Sequence, residues 1–483
     1  MKKRFKIILF IFMCVFTLSS CDLEIDFSFN VDKSEEILDS SDDILPSIVP
    51  SEIPSIEPSV PSVEPSVPST EPSIEPSVPS VEPSIEPSIP STEPSVEPTT
   101  PSLESSVESS IESEQGEMVQ NIIYDDFQIH FLELGNKYAG DCTYIKAGDN
   151  DIIIDAGSRK GSATTIKEYV DKYCEDGVLE YVIATHAHQD HIAGFVGNSS
   201  GSTKTGILYQ YEVEMIIDYS LSDSTSQISK DYKTAVNLCI ESGAKYYNAA
   251  QCFNEEDGAQ ATYSLGEGMS FTILYNYYYF NSAKGTEGEE NNYSVCTLFT
   301  YNDLNFLLTG DLEKEGEEKL AEYYDGSTDE KTLPHCELFK SGHHGSKTSS
   351  NDCLLELITP DICAVCCCAG STEYTANYNN IFPTQEFITR IAKYTDLVYV
   401  TSVFNEQTKE FESLNGNIII SADGLNTGIY ASNNLIKLKD STWFNQTIYV
   451  DSNNNICSGK GKEDFFTVDT SGARAVKRRI WPS

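Results

Sequence analysis

Metal-binding residue types are concentrated in one short stretch of the chain. Three of its seven histidines, His186, His188 and His191, fall within THAHQDHIAG, together with Asp190. The apolar run LEYVIAT before them predicts a buried strand that ends at this cluster. Alternate residues of an extended segment point the same way, so the first two histidines can converge on one ion, while Asp190 and His191 face a second. Imidazole and carboxylate ligands suit zinc or a similar metal, and an incidental histidine-rich loop is the weaker alternative.

Two later segments repeat the pattern of an apolar strand that ends in polar residues. LNFLLTGDLEKEG carries Asp311, and FKSGHHGSKTSS carries His343 and His344. Asp311 alone could be an ordinary helix cap, but its position at the carboxyl end of a strand favours a carboxylate that bridges two metal ions. Adjacent histidines at a strand exit seldom both reach one metal. We therefore predict that His343 is the ligand and that His344 lies over the substrate or its leaving group.

The order of these motifs resembles that of a known family. HxHxDH, TGD and HHGS, after a strand that ends IDAG, resemble the metallo-β-lactamase superfamily over roughly residues 122–425. Within it the chain most resembles the extracellular hydrolase domain of ComEC-type competence proteins and their secreted stand-alone relatives. More distantly, it resembles the teichoic-acid phosphorylcholine esterases.

The resemblance carries expectations for fold and site. It implies an α/β fold, the αββα four-layer sandwich, with a two-metal site along one edge of the sheets. It also implies two divalent ions, zinc with manganese as the alternative. Carried over by motif, the metal ligands are His186, His188, Asp190, His191, Asp311 and one of the pair His343 and His344.

The chain departs from the family pattern at two points. Many members supply a further histidine between HxHxDH and the bridging aspartate, but no histidine lies between His191 and His335 here. Asn291 or Asn292 could stand in for it, or one metal site is weaker and more open. Where competence-type domains tend to show a His-Pro pair, this chain has Phe382-Pro383.

The residue types predict hydrolysis by a water whose pKa a metal lowers toward ~7. Asp190 would orient this water and accept its proton, and His344 would assist the leaving group. The expected function is hydrolysis of phosphoesters, in extracellular nucleic acid or in wall- or lipid-linked compounds. The alternatives are a lactonase, thioesterase or β-lactamase-like hydrolase, and a non-catalytic metal-binding module. A transport subunit for DNA uptake is disfavoured by the absence of further apolar segments long enough to span a membrane.

The segments that must position these residues alternate between strand and helix patterns from Phe127 onward. FQIHFLEL, CTYIKA and DIIIDAG predict a strand meander, and SATTIKEYVDKYCEDG predicts a helix that ends at Gly177. We place the hydrolase domain at residues 119–434. Residues 435–483, rich in Asn and Thr, are predicted to form a small β-rich appendage.

The N-terminal quarter of the chain reads as an anchor and a stalk. Residues 1–21 have a basic start, a short apolar core and the end Leu-Ser-Ser-Cys, which resembles a bacterial lipobox with lipid on Cys21. An ordinary cleaved signal peptide is the alternative. Residues 22–118 are acidic and contain repeats such as PSIEPSV, whose prolines predict a disordered, extended stalk. At ~3.1 Å per residue, about 70 residues would reach roughly 200 Å. The expected location is the outer face of a bacterial cytoplasmic membrane.

Charge limits the partners. The formal net charge is -43, and the globular part shares in this acidity. Since such a surface repels phosphate backbones, nucleic acid is disfavoured as a substrate, although bound metal could offset the repulsion locally. The expected partners are a small or wall-attached phosphoester and, through the lipid alone, the membrane.

The remaining residues of interest have structural interpretations. Cys363, Cys366, Cys367 and Cys368 lie in the apolar run DICAVCCCAG and read as small buried hydrophobes in a strand, with a zinc site as the alternative. His130 is expected in the core or at a sheet edge and His335 on the surface. The tyrosines of LYNYYYF are expected to pack against the fold, with a substrate groove as the alternative.

Overall fold

The structure of the protein is a computed structural model that describes residues 116–198, 204–406, 408–457 and 472–482. The predicted leader 1–21 and nearly all of the predicted stalk 22–118 therefore lie outside the described residues. The first strand begins at Met118, one residue before the domain start expected from the sequence. No helix in the described ranges is both long enough and apolar enough to cross a membrane.

The described residues form nineteen strands and seven α-helices. The strands are β1 (Met118–Gln120), β2 (Phe127–Phe131), β3 (Thr143–Ala147), β4 (Asn150–Ile154), β5 (Val178–Ile183), β6 (Glu212–Asp218), β7 (Lys245–Asn248), β8 (Thr262–Gly266), β9 (Met269–Ile273), β10 (Thr297–Tyr301), β11 (Leu304–Leu308), β12 (Leu338–Lys340), β13 (Ile362–Ala369), β14 (Leu397–Asn405), β15 (Glu410–Ser413), β16 (Ile418–Ala422), β17 (Thr427–Ala431), β18 (Ile448–Val450) and β19 (Ala475–Lys477). The helices are α1 (Ser162–Val170), α2 (Gln189–Val196), α3 (Gln227–Glu241), α4 (Ala249–Asn254), α5 (Lys314–Tyr323), α6 (Asp352–Ile358) and α7 (Gln385–Ile391).

The strands form two large sheets. The first has nine strands in the order β1-β17-β16-β2-β3-β4-β5-β6-β7, and the second has eight in the order β15-β14-β13-β12-β11-β10-β9-β8. In the first sheet β2, β3 and β4 are antiparallel neighbours, as the meander predicts, and β4 to β7 run parallel. In the second sheet β11 to β14 run parallel.

The two sheets pack face to face through apolar side chains. Phe127 of the first sheet and Phe306 of the second are fully buried, with ring centroids 5.1 Å apart. Along β11, Phe306 belongs to this shared core, while Leu307 belongs to a second core on the opposite face. This alternation follows from the two-residue period of a strand and leaves each sheet one outer face to cover.

Helices cover the outer faces. Buried residues of α1, α2 and α3, such as Ile166 and Phe195, join the core of the first sheet. Buried residues of α5, α6 and α7, including Leu320 and Phe387, pack against the outer face of the second sheet. The order of layers is therefore helix, sheet, sheet, helix, and the predicted α/β four-layer sandwich is confirmed.

The cysteine-rich run is a buried strand. Cys363, Cys366, Cys367 and Cys368 all lie in β13, which is buried along its full length. Cys363 and Cys367 face the second core and Cys366 faces the core between the sheets. All cysteines of the described residues are free thiols. Their interpretation as small buried hydrophobes is confirmed.

Two expectations about element boundaries change. The helix α1 ends at Val170 rather than at Gly177, because turns with hydrogen bonds to Tyr169 and Val170 replace the helical pattern from there. In the segment after residue 434, the strands β18 and β19 form a separate two-stranded sheet. In the same segment Leu438, Trp443 and Phe444 are buried in the second core, so part of the predicted appendage completes the sandwich.

Candidate metal centre

Three strand ends from the two sheets meet at the site. His186 follows β5, Asp311 follows β11, and His343 and His344 follow β12. The helix α2 begins at Gln189, so Asp190 and His191 lie in its first turn. The carboxyl ends of parallel strands lie at one edge of a sheet, and here the edges of both sheets bring their loops together.

The first group of potential ligands surrounds His186. Its Nε2 atom lies 3.0 Å from Nδ1 of His188 and 4.0 Å from Oδ2 of Asp311. Two ring nitrogens at this separation converge on one point, as expected from the alternation of an extended segment. His186, His191 and Asp311 also place one ligand atom each within 4.8 Å of one another.

The second group lies on the other side of Asp311. His191 Nε2 is 3.0 Å from Oδ2 of Asp311. His344 Nε2 is 3.5 Å from the same oxygen and 3.5 Å from Oδ2 of Asp190. Asp311 and His191 thus each lie near ligand atoms of both groups.

Two buried atoms at the centre have no hydrogen-bond partner. They are His344 Nε2 and Asp311 Oδ1. Leaving a buried polar atom unpaired costs about 1–3 kcal/mol, and more when it is charged, so these atoms mark a place for a cation. Histidine nitrogens and carboxylate oxygens in closed groups are a donor set that Zn²⁺ accepts. The residues therefore fit a pair of divalent ions.

His343 differs from its neighbour in position and exposure. Its Nε2 is 3.8 Å from Asp311, but its Nδ1 bonds Glu313 Oε1 at 2.9 Å. Its side chain is 21% exposed, whereas that of His344 is fully buried. His344, not His343, belongs to the groups of potential ligands. The geometry thus favours the reverse of the roles expected from the sequence.

The segment that carries the HxHxDH motif resembles known proteins. Residues 135–229 match the model of the family described as the metallo-beta-lactamase superfamily, a range that contains the HxHxDH motif. This segment is therefore similar to the metallo-beta-lactamase superfamily. Recombination protein 2 of Haemophilus influenzae, a ComEC-like protein, is 26% identical over 242 residues, which are 50% of this chain and 24% of that protein. The chain thus spans about a quarter of the length of this relative.

Solved structures that the chain resembles in part come from several organisms. The diiron β-hydroxylase CmlA from Streptomyces venezuelae is 11% identical, with 50% of this chain and 45% of that chain covered and a TM-score of 0.28. A metallo-beta-lactamase from Pontibacter korlensis is 14% identical, with coverages of 40% and 71% and a TM-score of 0.23. A putative metallo-beta-lactamase from Thermotoga maritima is 19% identical, with coverages of 38% and 79% and a TM-score of 0.22.

The Asp155 carboxylate orients His191 of the candidate metal centre. Asp155 accepts a hydrogen bond from His191 Nδ1 at 2.7 Å and two more from Thr185, through its hydroxyl and its backbone N–H. Donation through Nδ1 leaves His191 Nε2 available for a metal. Burial raises the pKa of Asp155, and the bonds from His191 and Thr185 act in the opposite direction.

A buried ion pair supports the other ligand histidine. Asp141 lies 2.5 Å from Nζ of Lys340 and 3.1 Å from Nδ1 of His344, which also lies 2.9 Å from the Cys366 carbonyl oxygen. All three ionisable side chains are buried. Burial lowers the pKa of Lys340, but Asp141 outweighs it and the net pKa is raised. The pair of Asp141 and Lys340 therefore fixes the charge and the ring orientation of His344 through its Nδ1 atom.

The central histidines have opposite pKa shifts. Burial and the neighbouring His191 and His188 hold the pKa of His186 well below its usual range. Burial also acts to lower the pKa of His191, but the Asp311 and Asp155 carboxylates outweigh it and raise the pKa well above that range. In the metal-free protein, the positive charge of His191 thus offsets part of the carboxylate charge that a bound metal ion would offset.

The proposed substitutes for the absent middle histidine have different surroundings. Asn292 accepts a hydrogen bond from the Glu313 backbone N–H and donates two others, so its amide is used within the fold. Asn291 donates to Glu313, and its side-chain oxygen is buried without a hydrogen-bond partner. Of the two, Asn291 alone keeps a free acceptor beside the site.

The remaining histidines and the tyrosine run have the structural roles expected of them. His130 is buried and bonds the Tyr169 hydroxyl at 2.7 Å, and burial lowers its pKa to about 3. The His335 side chain is 48% exposed and pairs with Asp361, at the end of β12 opposite to His343. Tyr275 stacks on Tyr323 with ring centroids 4.1 Å apart, which confirms packing within the fold.

Sequence reasoning missed several residues of the site. Asp155 ends the strand in IDAG and could have been found by the same rule that selected Asp311. Asp141 and Lys340 leave no such signal, since each becomes part of the site only when the two sheets come together. Glu313 lies two residues beyond Asp311 and reads in the sequence as one acid among several at a helix start.

The buried pair of Asp141 and Lys340 allows a stability test. Lys340→Met leaves the Asp141 carboxylate without its cation, and removing one partner of a buried pair costs about 3 kcal/mol or more. We expect this loss in the free energy of unfolding of the metal-free protein, measured by urea denaturation in EDTA. Lys347→Met removes an exposed lysine from the same segment and should change the free energy by less than about 0.5 kcal/mol. Equal, small losses in the two variants would show that the pair is not needed.

Proposed function

We propose that this protein is a metal-dependent hydrolase of phosphoesters. The observation that carries the proposal is the pair of ligand groups, around His186 and around His344, that share Asp311. Two cations held by one bridging carboxylate can stabilise both the attacking and the leaving oxygens of an in-line displacement at phosphorus. The resemblance to ComEC-type domains also favours phosphodiesters over lactones and amides.

The proposal assigns each ligand to a group. His186 and His188 would hold one ion, with Asn291 as the proposed substitute for a further ligand. Asp190, His191 and His344 would hold the other, and Asp311 would be shared between the two groups. This assignment exchanges the roles of His343 and His344 relative to those expected from the sequence, because His344 Nε2 is buried, unpaired and equidistant from Asp190 and Asp311.

The chain's own residues perform the proton transfers. When bound, the divalent ions would supply Lewis acidity and lower the pKa of a water toward ~7. Asp190 orients that water and accepts its proton. Burial alone would raise the pKa of Asp190, but the neighbouring His344 and His191 imidazoles outweigh it and hold the pKa below its ordinary value. Asp190 is therefore charged at neutral pH, as a proton acceptor must be.

His343 is the acid for the leaving group. Its Nδ1 atom donates to Glu313, which leaves Nε2 turned toward the open side of Asp311. Burial raises the pKa of Glu313, but the bonds from His343 and Asn291 outweigh it and lower the pKa. The Glu313 carboxylate thus orients the His343 imidazole toward the departing oxygen.

Turnover of chromogenic esters tests the reaction class. We expect metal-dependent hydrolysis of bis-p-nitrophenyl phosphate or p-nitrophenylphosphorylcholine after addition of zinc or manganese, and little turnover of nitrocefin or a lactone. Asp311→Asn should lose both bound metal and activity, since it removes the shared charge. Preference for the lactone or nitrocefin would contradict the phosphoester proposal. Full metal content without turnover of any substrate would favour a non-catalytic binding module.

Substitution of the adjacent histidines tests their roles. His344→Ala should lower metal affinity at least 10-fold, by loss of a ligand. His343→Ala should keep its metal but lose about 10²- to 10⁴-fold in kcat, the usual contribution of general acid catalysis. The loss should be larger for an alkyl leaving group than for p-nitrophenolate, which departs without a proton. Elemental analysis and steady-state kinetics measure both effects.

His335→Ala is the matched control for these variants. This histidine is exposed and paired with Asp361 at the other end of β12, so its loss should change neither metal content nor kcat. Loss of metal in His343→Ala, with full retention in His344→Ala, would restore the allocation expected from the sequence.

We further propose that the protein is anchored by lipid on Cys21 to the outer face of a bacterial cytoplasmic membrane. The 22–118 stalk would carry the hydrolase domain away from the lipid. The substrates in reach are then extracellular: small or wall-attached phosphoesters, with nucleic acid disfavoured by the acidity of the chain.

Cys21→Ala tests the anchor. Without the acceptor thiol, the protein should be released to the medium or remain as the uncleaved precursor, and the mature form should no longer partition into detergent. Detergent phase separation with mass spectrometry of the N-terminus measures both. Cys14→Ala, within the apolar part of the leader, should leave anchoring unchanged. Detergent partitioning of a processed Cys21→Ala protein equal to the wild type would contradict the anchor.

A further inference from the structure

A tyrosine outside the ligand groups reaches the metal centre. The Tyr374 hydroxyl lies 3.4 Å from Oδ2 of Asp190, while the residue as a whole is 52% exposed. Burial of this hydroxyl and the Asp190 charge raise its pKa to about 12, and the nearby Arg159 guanidinium acts in the opposite direction. Tyr374 therefore joins the site to the solvent-exposed surface beside it.

Arg159 lies on the outer side of this tyrosine. Its guanidinium carbon is 6.0 Å from the centre of the Tyr374 ring and 3.8 Å from that of Tyr138. One of its nitrogens donates to the Ser158 carbonyl oxygen at 2.7 Å. Stacking and this bond orient the plane of the guanidinium and leave its other N–H groups as donors.

The charge of Arg159 has no carboxylate partner within the described ranges, where its neighbour Lys160 pairs with Asp231 and Lys137 pairs with Glu373. An unpaired, preorganised guanidinium beside a metal centre is suited to bind an anion, and its fork matches the geometry of a phosphate.

The loop that carries Arg159 is packed directly on the metal-binding helix. Gly157 lies so close to the Asp190 carbonyl oxygen that a Cβ atom would collide with it. The Gly157 backbone N–H donates to the Asp141 carbonyl oxygen. The Asp141 backbone N–H in turn donates to the Asp190 carbonyl oxygen. Since Arg159 is two residues from this contact, its position relative to the centre is fixed by backbone rather than by a flexible side chain alone.

We propose that Arg159, held by Tyr138 and Tyr374, binds a second phosphate of the substrate, next to the phosphoester that is cleaved. This inference rests on the proposed function and narrows it to chains or compounds with at least two phosphates. A phosphodiester chain carries a further phosphate beside the one that is cleaved, and Arg159, next to the Tyr374 ring, offers N–H donors for it.

Two chromogenic esters that differ by one phosphate test the proposal. They are thymidine 5′-(p-nitrophenyl phosphate) and the same compound with a 3′-phosphate. The wild-type protein should show a higher kcat/KM for the second compound. A charge-assisted hydrogen bond of this kind is worth about 10- to 100-fold in binding, so Arg159→Gln should remove most of this preference, mainly through KM. Arg159→Lys, which keeps the charge but not the fork, should retain part of it.

Lys160→Gln is the matched control because it removes one positive charge from the adjacent position. The preference for the second phosphate could depend on the positive electrostatic field of the surface rather than on a bond to Arg159. In that case the two glutamine variants will lose the preference equally, and the proposal is wrong. A wild-type protein without any preference for the second phosphate would also overturn it, as would equal losses of kcat/KM on both esters in Arg159→Gln.

Binding measurements separate this inference from the proposed function. Isothermal titration with thymidine 3′,5′-bisphosphate and thymidine 5′-monophosphate requires no turnover. Tighter binding of the bisphosphate, lost in Arg159→Gln, would support the second phosphate site even if neither ester is hydrolysed. Comparison of oligothymidylate with a glycerol phosphate oligomer of the same number of phosphates then identifies the source of the chain: equal dependence on Arg159 is expected if the phosphates alone are recognised.

Discussion

The structure depends on how the charge of several buried carboxylates is balanced where the two sheets meet. Asp141, Asp155 and Asp311 are almost fully buried and lie within reach of the same histidines. Burying ions away from water costs several kcal/mol each unless cations compensate them. Lys340 is the one lysine at this place among the residues described, and it offsets a single carboxylate. The remaining negative charge is balanced by protonated histidines or by metal ions. Folding and metal binding therefore depend on the same side chains.

The architecture creates this concentration of charge by joining two sheets at one edge. In each sheet, parallel strands end where polar loops begin, β4 and β5 on one side and β11 and β12 on the other. Neither sheet supplies a complete set of ligands. His191 comes from the helix α2 that follows β5, whereas Asp311 and His344 follow strands of the second sheet. The apolar contact of Phe127 with Phe306 therefore has a consequence beyond stability, because the distance between the sheets sets the distance between the two halves of the site.

The sequence pattern around a single strand predicts those site residues that lie directly after that strand. The HxHxDH stretch, Asp311 and the histidine pair were found because an apolar run followed by polar residues is a local signal. The choice between His343 and His344 was not predictable, since both follow the same strand and both have left-handed backbone conformations. What distinguishes them is the neighbour each meets after folding, Glu313 for one and Asp141 for the other. Arg159 was missed for the same reason, because its ring partners are far apart in the sequence.

Protons and metal ions compete for the same histidines, and this competition links the stability of the fold to the binding of metal. Burial lowers the pKa of His344, but Asp311 and Asp141 outweigh it and raise the pKa to about 10. A histidine whose folded pKa is raised contributes stability that is fully present below its unfolded pKa of about 6.5 and is lost as the pH rises through the folded value. At neutral pH the metal-free protein therefore keeps most of this contribution. A metal ion must displace the protons on His344 and His191 before it binds, so its affinity falls as the pH falls. The protonated histidines thus balance the buried carboxylates in the metal-free protein, and a bound metal ion would take over that role.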